Sequence, residues 1–241
     1  MRLTQSQEYA RKGLGDDALA RLSLLGDLLL EAPFNVTSVN EPQEIERVHF
    51  LDCLALLDLE SVRAARRIAD IGSGAGLPAL VLALALPSAR LTAVESQRKK
   101  CGFIEAAAGA MGLENVEVRC ERAEEYGRSV GRGIHDVVVS RALAELAVVA
   151  EYSLPLLEPR GKMIAMKGLI SDEERIQGER ALGILGGSGL ESIRMEPFVG
   201  AENRWVYLAE KEGETTESFP RRPGVAARRP LGRHKAGRPG S

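Results

Sequence analysis

The spacing of apolar residues changes its rhythm once along the chain, and the change divides it. From Thr4 to about Glu31 the apolar positions recur every three or four residues, most regularly in DALARLSLLGDLLLE, where Asp16 is the expected N-cap. Pro33 stops this helical stretch, a polar turn FNVTSVNEP follows, and Pro42 at a first helical position opens a second helix to about Leu59. Beyond it come short continuous apolar runs: RIADI (67–71), RLTAVE (90–95), VEVRC (116–120), DVVVS (136–140) and KMIAMKG (162–168). Helical stretches at about 75–86, 97–112 and 142–157 separate them, and a further one covers Asp172–Leu185. Continuous apolar strands divided by helices predict a parallel sheet covered on both faces. ESIRMEPFV and RWVYLAEK, close together near the end, predict an antiparallel pair that closes the sheet at seven strands.

Composition adds boundaries. No run of 18 or more apolar residues exists and MRLTQSQEYARKG has no apolar core, so neither secretion nor membrane insertion is expected, and the expected location is the cytoplasm. Three cysteines without CxxC spacing suggest neither a disulfide framework nor a metal site. The net charge of −2 conceals an asymmetry. From Ser218 onward there are seven Lys/Arg and no Asp/Glu, leaving 25 basic against 34 acidic residues in the body. The expected organisation is a helical N-terminal layer (1–60), an α/β domain (61–212) and a basic tail (213–241) that is disordered by composition and suited to phosphate backbones. Such a tail either tracks a phosphate backbone or is a solubilising end with no partner; in the first case removing Ser218–Ser241 is expected to weaken binding to that backbone and leave a small-ligand site intact.

The stretch IADIGSGAGLPALVLAL carries the chemistry. In an open α/β sheet, ligands bind beyond the carboxyl ends of the strands, where this loop lies. Gly72-x-Gly74-x-Gly76 is not the GxGxxG of a dinucleotide site, and no GK[ST] follows as a phosphate loop requires. Asp70 before the glycines suits a cationic ligand with an amino group. Glu95, closing the second strand, can accept hydrogen bonds from both hydroxyls of a ribose. Ala123 and Glu124 lie after the third strand, where adenine is contacted. Together they point to S-adenosylmethionine, held by Asp70, Gly72, Gly74, Gly76 and Glu95.

FNVTSVNEP, HFLDCLAL, the glycine loop, VESQRKKCGFI, ERAEE, VVVSRALAEL, LPLLEPRGKMIAMKG and FPRRPGVAARRPL together resemble the RsmG (GidB) family of bacterial small-subunit ribosomal RNA guanine-N7 methyltransferases. The resemblance runs from about Leu25 to Leu231. It implies the seven-stranded S-adenosylmethionine-dependent methyltransferase fold, Rossmann-like, and cofactor contacts at Gly72, Leu77, Ala123, Glu124 and Arg141. It also implies a 16S ribosomal RNA substrate, in the 30S subunit or an assembly intermediate; for the oligomeric state a monomer is the default expectation. Guanine N7 carries its own in-plane lone pair, so no proton need be removed and alignment dominates catalysis. Arg141, in SRA after the fourth strand, is the expected catalytic contact to cofactor and guanine. Asn35, Thr37 and Ser38 can offer neutral hydrogen bonds to RNA, while His49, Lys167, Arg221 and Arg222 can contact phosphate. Asn35 and His49 also suit purely structural roles, as a cap and as a tie between helix and domain. Two alternatives stay open: another substrate class on the same fold, or a ribosome-associated protein that binds S-adenosylmethionine without catalysis.

Overall fold

The structure is a computed structural model describing residues 1–34, 37, 39 and 41–233. Helices α1 (Ser6–Arg11) and α2 (Asp16–Glu31) open the chain. Gly15, with extended backbone, is the N-cap of α2, so Asp16 is its first helical residue and meets the amino-terminal dipole from inside the helix. Pro42 begins α3 (Pro42–Glu44) at its N-terminal positions, as expected, but the helix then widens. Ile45–Leu51 is a π-helix, followed by α4 (Asp52–Leu54), a 3₁₀ turn (Ala55–Asp58) and α5 (Glu60–Arg63). Buried Glu46 accepts from the Thr4 amide (2.7 Å) and the Gln5 amide (2.9 Å), which fastens α1 to this segment.

Strands and helices then alternate: β1 (Arg67–Ile71), α6 (Ala79–Ala85), β2 (Arg90–Val94), α7 (Arg98–Ala110), β3 (Val116–Arg119), α8 (Ala123–Tyr126), β4 (His135–Arg141) and α9 (Leu146–Ser153). They continue through β5 (Leu157–Lys167), α10 (Asp172–Leu185), β6 (Gly187–Arg194), β7 (Trp205–Lys211) and α11 (Val225–Arg228). The sheet order is β3-β2-β1-β4-β5-β7-β6, with β7 antiparallel to both neighbours and β1 to β5 parallel. Several boundaries move. α6 starts only at Ala79, because the three loop glycines before it hold positive φ. β5 begins five residues before KMIAMKG, and α9 correspondingly ends at Ser153. β6 lies earlier than ESIRMEPFV: left-handed Gly186 stops α10, and the strand starts at once.

Alternation along the strands sends Ile68, Leu91, Val137, Val139 and Ile164 into a core shared with α2, the Pro42–Asp58 helix and α6. Ala69, Ile71, Val138, Met163 and Ala165 face a second core with α9 and α10. Covering both faces is what makes these strands continuously apolar.

The basic end does not match its expectation. Residues 213–233 run as a strap along α8, α9 and α10 rather than as a disordered tail. Arg132 donates to the carbonyls of Thr215 (2.6 Å) and Phe219 (2.8 Å), Arg128 to that of Pro220 (2.6 Å), and Gln177 to that of Leu231 (3.2 Å). Composition conceals this, because the strap is held by its backbone carbonyls and by arginine partners rather than by apolar periodicity.

Candidate active site

Two clefts meet above the carboxyl ends of β1 and β4, where the strand order reverses. The smaller, about 260 Å³, is lined by Gly72, Gly74, Glu95, Ala123, Glu124, Leu143 and Tyr152 among others. The larger, about 440 Å³, takes in His49, Asp52, Leu77, Arg141, Lys167 and Arg204, and shares Gly72 and Gly74 with the first. The glycine loop is thus the seam between them.

The loop needs its glycines. Gly72, Gly74 and Gly76 have φ of 69°, 58° and 79°, left-handed conformations that cost side-chain-bearing residues. A Cβ on Gly72 would lie 2.5 Å from Leu143 Cδ1, whereas one on Gly74 would meet nothing closer than 4.0 Å. Gly74 therefore borders open room of the kind a bound ligand fills. Glu95 braces the loop: its carboxylate accepts from the Gly74 amide (2.9 Å) and the Gln97 amide (2.8 Å). A carboxylate has about four acceptor sites, so ribose hydroxyls remain compatible with these bonds. Asp70 is fully buried; one oxygen accepts from the Ala79 amide (3.1 Å) and the other has no partner. Burial raises its carboxyl to about 7. An orphaned buried acceptor beneath the loop fits the amino-bearing cation expected there.

In the larger cleft a chain of contacts joins three distant segments. Arg141 Nη1 donates to the Val48 carbonyl (3.0 Å) and lies 3.1 Å from His49 Nδ1; His49 Nε2 lies 2.6 Å from the Thr37 hydroxyl. The guanidinium can only donate, which assigns the acceptor role to Nδ1 and the proton to Nε2. Burial, reinforced by the Arg141 charge, lowers His49 to about 4. It bridges Arg141 and Thr37, the tie between helix and domain that was one of its two expected roles. Asp52 lies 3.2 Å from Arg204 Nε, and burial raises its carboxyl against the pull of Arg204 and Arg141. Ala142, immediately after Arg141, has a φ of 47°, strain of the kind that gathers at functional sites.

The structure thus brings Asp70, Gly72, Gly74, Gly76, Leu77, Glu95, Ala123, Glu124, Arg141, His49 and Lys167 to one end of the sheet. Lys167 lines the larger cleft, but its ammonium is engaged by Glu174 (3.0 Å) and the Ala144 carbonyl (2.5 Å). Arg221 does not reach outward either: it grips buried Glu151, with Nε 2.8 Å from Oε1. Arg222 is exposed. Asn35 and Ser38 fall outside the described residues. Sequence reasoning missed Asp52, Asn203 and Arg204 as lining residues. Asp52 alone had a signal, standing three places after His49 in HFLD.

A family model described as rRNA small subunit methyltransferase G, GidB, matches residues 21–195. The chain belongs to this family. It is 41% identical to the Ribosomal RNA small subunit methyltransferase G of Pelotomaculum thermopropionicum, with 82% of this chain and 83% of the relative covered. With that of Desulfitobacterium hafniense it shares 36% identity, covering 90% and 91%. Among solved structures, the O-methyltransferase TomG of Streptomyces achromogenes superposes with a TM-score of 0.55 at 22% identity, covering 86% of this chain and 96% of that one. The GidB chain therefore has the seven-stranded methyltransferase fold expected from its sequence. Among the described residues no helix is long and apolar enough to cross a membrane.

Proposed function

We propose that this GidB-family chain transfers a methyl group from S-adenosylmethionine to N7 of one guanine in small-subunit ribosomal RNA, acting as a monomer on the 30S subunit or an assembly intermediate. The observation that carries the reading is the shared seam: Gly72 and Gly74 border both clefts, so a ligand in each would meet across the loop. In this reading the smaller cleft takes the adenosine end, with Glu95 at the ribose and Ala123 and Glu124 at the base. Asp70, buried beneath the glycine loop, would lie behind the amino-acid end, and the larger cleft admits the guanine.

When bound, S-adenosylmethionine supplies an electrophilic methyl; the chain supplies position. Among the described residues lining the larger cleft, His49 is neutral and doubly bonded, Asp52 faces Arg204 and Lys167 is paired with Glu174. None is a free general base, which suits a nucleophile that loses no proton. Arg141 uses Nη1 to hold Val48 and His49, and a guanidinium has further donors for the guanine O6 or a phosphate. Orientation and fixed charge then lower the barrier.

The test is methylation of 30S subunits lacking the modification, with isotopically labelled S-adenosylmethionine and mapping of the labelled base. A single labelled N7-methylguanine, with the rate reduced at least 100-fold in Arg141→Ala, is expected. Label on another atom, or none, overturns the assignment.

A further inference from the structure

The strap reaches the cofactor cleft from behind. The Gly224 amide donates to Glu124 Oε1 at 2.8 Å, and Glu124, 3% exposed, is a wall residue in the first turn of α8. Gly224 has a φ of 76°, a left-handed turn that delivers this amide before α11 begins. One turn of chain away, Arg221 clasps the fully buried carboxylate of Glu151 through Nε (2.8 and 3.1 Å), Nη2 (2.5 Å) and its own amide (2.9 Å). Glu151 directly precedes Tyr152, the contribution of α9 to the same cleft. Arg221 Nη2 also donates to the Arg229 carbonyl at 2.8 Å, closing residues 221–229 into a loop around Gly224. Two of the three helices that wall the cleft, α8 and α9, are thus tied to one short segment, while α7 contributes Lys100 independently. The pairs span 70 residues for Arg221–Glu151 and 100 for Gly224–Glu124, so no local structure would set them.

We propose that the strap is part of the cofactor site: Arg221 and the Gly224 amide are positioning groups that hold Tyr152 and Glu124 in the shape that takes the adenine end. Strap docking and cofactor binding then share a coupling free energy, and each strengthens the other by the same factor. This rests on the cofactor reading given under Proposed function. It predicts, against the expectation from composition, that removing Ser218–Ser241 weakens the small-ligand site as well.

S-adenosylhomocysteine is the probe, with the full chain in two measurements. First, trypsin cleaves after Arg221 and Arg228, so strap opening is timed with and without saturating probe; at least a threefold slowing is expected, with cleavage sites on the far side of the sheet unaffected. Second, calorimetric titration of Arg221→Gln is expected to show at least fivefold weaker binding, partly restored in Arg221→Lys. In turnover the loss should fall on the KM for S-adenosylmethionine, with kcat little changed. Should Arg221→Gln fail to fold, the proteolysis arm still decides. Equal strap cleavage with and without probe overturns the proposal, as does unchanged affinity in folded Arg221→Gln. Failure of the unaltered chain to bind the probe overturns the cofactor reading itself, a distinguishable result.

Discussion

Gly72 and Gly74 both hold left-handed backbone, yet they answer to different neighbours, and substitution separates the two. Alanine at Gly74 costs about 1–2 kcal/mol of backbone strain and meets no protein atom. Gly74→Ala should therefore lower thermal stability modestly while weakening S-adenosylhomocysteine binding at least tenfold. Gly72→Ala adds the collision with Leu143, so its melting temperature should fall further. Scanning calorimetry with a binding titration checks both, and an unaltered affinity in Gly74→Ala would remove the loop from the ligand site. Protonation gives a second residue-scale expectation. His49 and His135 are both held near 4 by burial, below an unfolded value of 6.5. Between those values the unfolded chain binds more protons, so stability falls as pH drops through that window. Asp70 acts oppositely: raised to about 7, it keeps a proton that the unfolded chain releases above 3.8, and gains stability as pH falls. Denaturant titrations at pH 7.5 and pH 5 should show a shallower loss in His49→Gln and a steeper one in Asp70→Asn.

The element that matters most is the π-helix at Ile45–Leu51. Its wider turn lets Glu46 reach back to α1 while His49 faces Arg141. Such widened turns gather at functional sites. Deleting the exposed Arg47 should restore α-helical winding and turn one of these residues away by about 100°. Methylation should fall at least tenfold with the circular dichroism spectrum retained; full activity would mean the His49 register is immaterial. Nothing in IERVHFL announces this winding, because its apolar spacing suits an α-helix as well. The strands were easier. RIADI and DVVVS are apolar without a break because helices cover both faces, so pattern and packing state the same thing. β5 and β6 were misjudged at their starts, where EPRG and GSG carry turn residues into the ladder.

For the whole molecule, legibility followed sequence distance. DIGSGAG and Glu95 could be read together because adjacent strands carry them, and the Gly74 amide meets the Glu95 carboxylate. The contact of Arg141 with His49, across 92 residues, and that of Arg221 with Glu151 could not, since neither partner signals the other. The strap also redistributes the basic charge: Arg221 is spent inside the protein, leaving Arg222, Arg228, Arg229 and Arg233 exposed among the described residues, on a body of net negative charge. RNA affinity should depend strongly on salt through these few groups. Arg222→Ala should flatten the slope of log affinity against log salt by roughly 0.7–0.9, measured by filter binding over a salt series; an unchanged slope would take Arg222 off the RNA path.

The seam of Gly72 and Gly74 has a consequence for order of events. In the proposed reading the two clefts share only the loop at Gly72 and Gly74 and take different ligands, so neither ligand need wait for the other. The expected kinetic pattern is then random sequential: spent cofactor should compete with fresh S-adenosylmethionine, yet inhibit noncompetitively against the ribosomal RNA substrate.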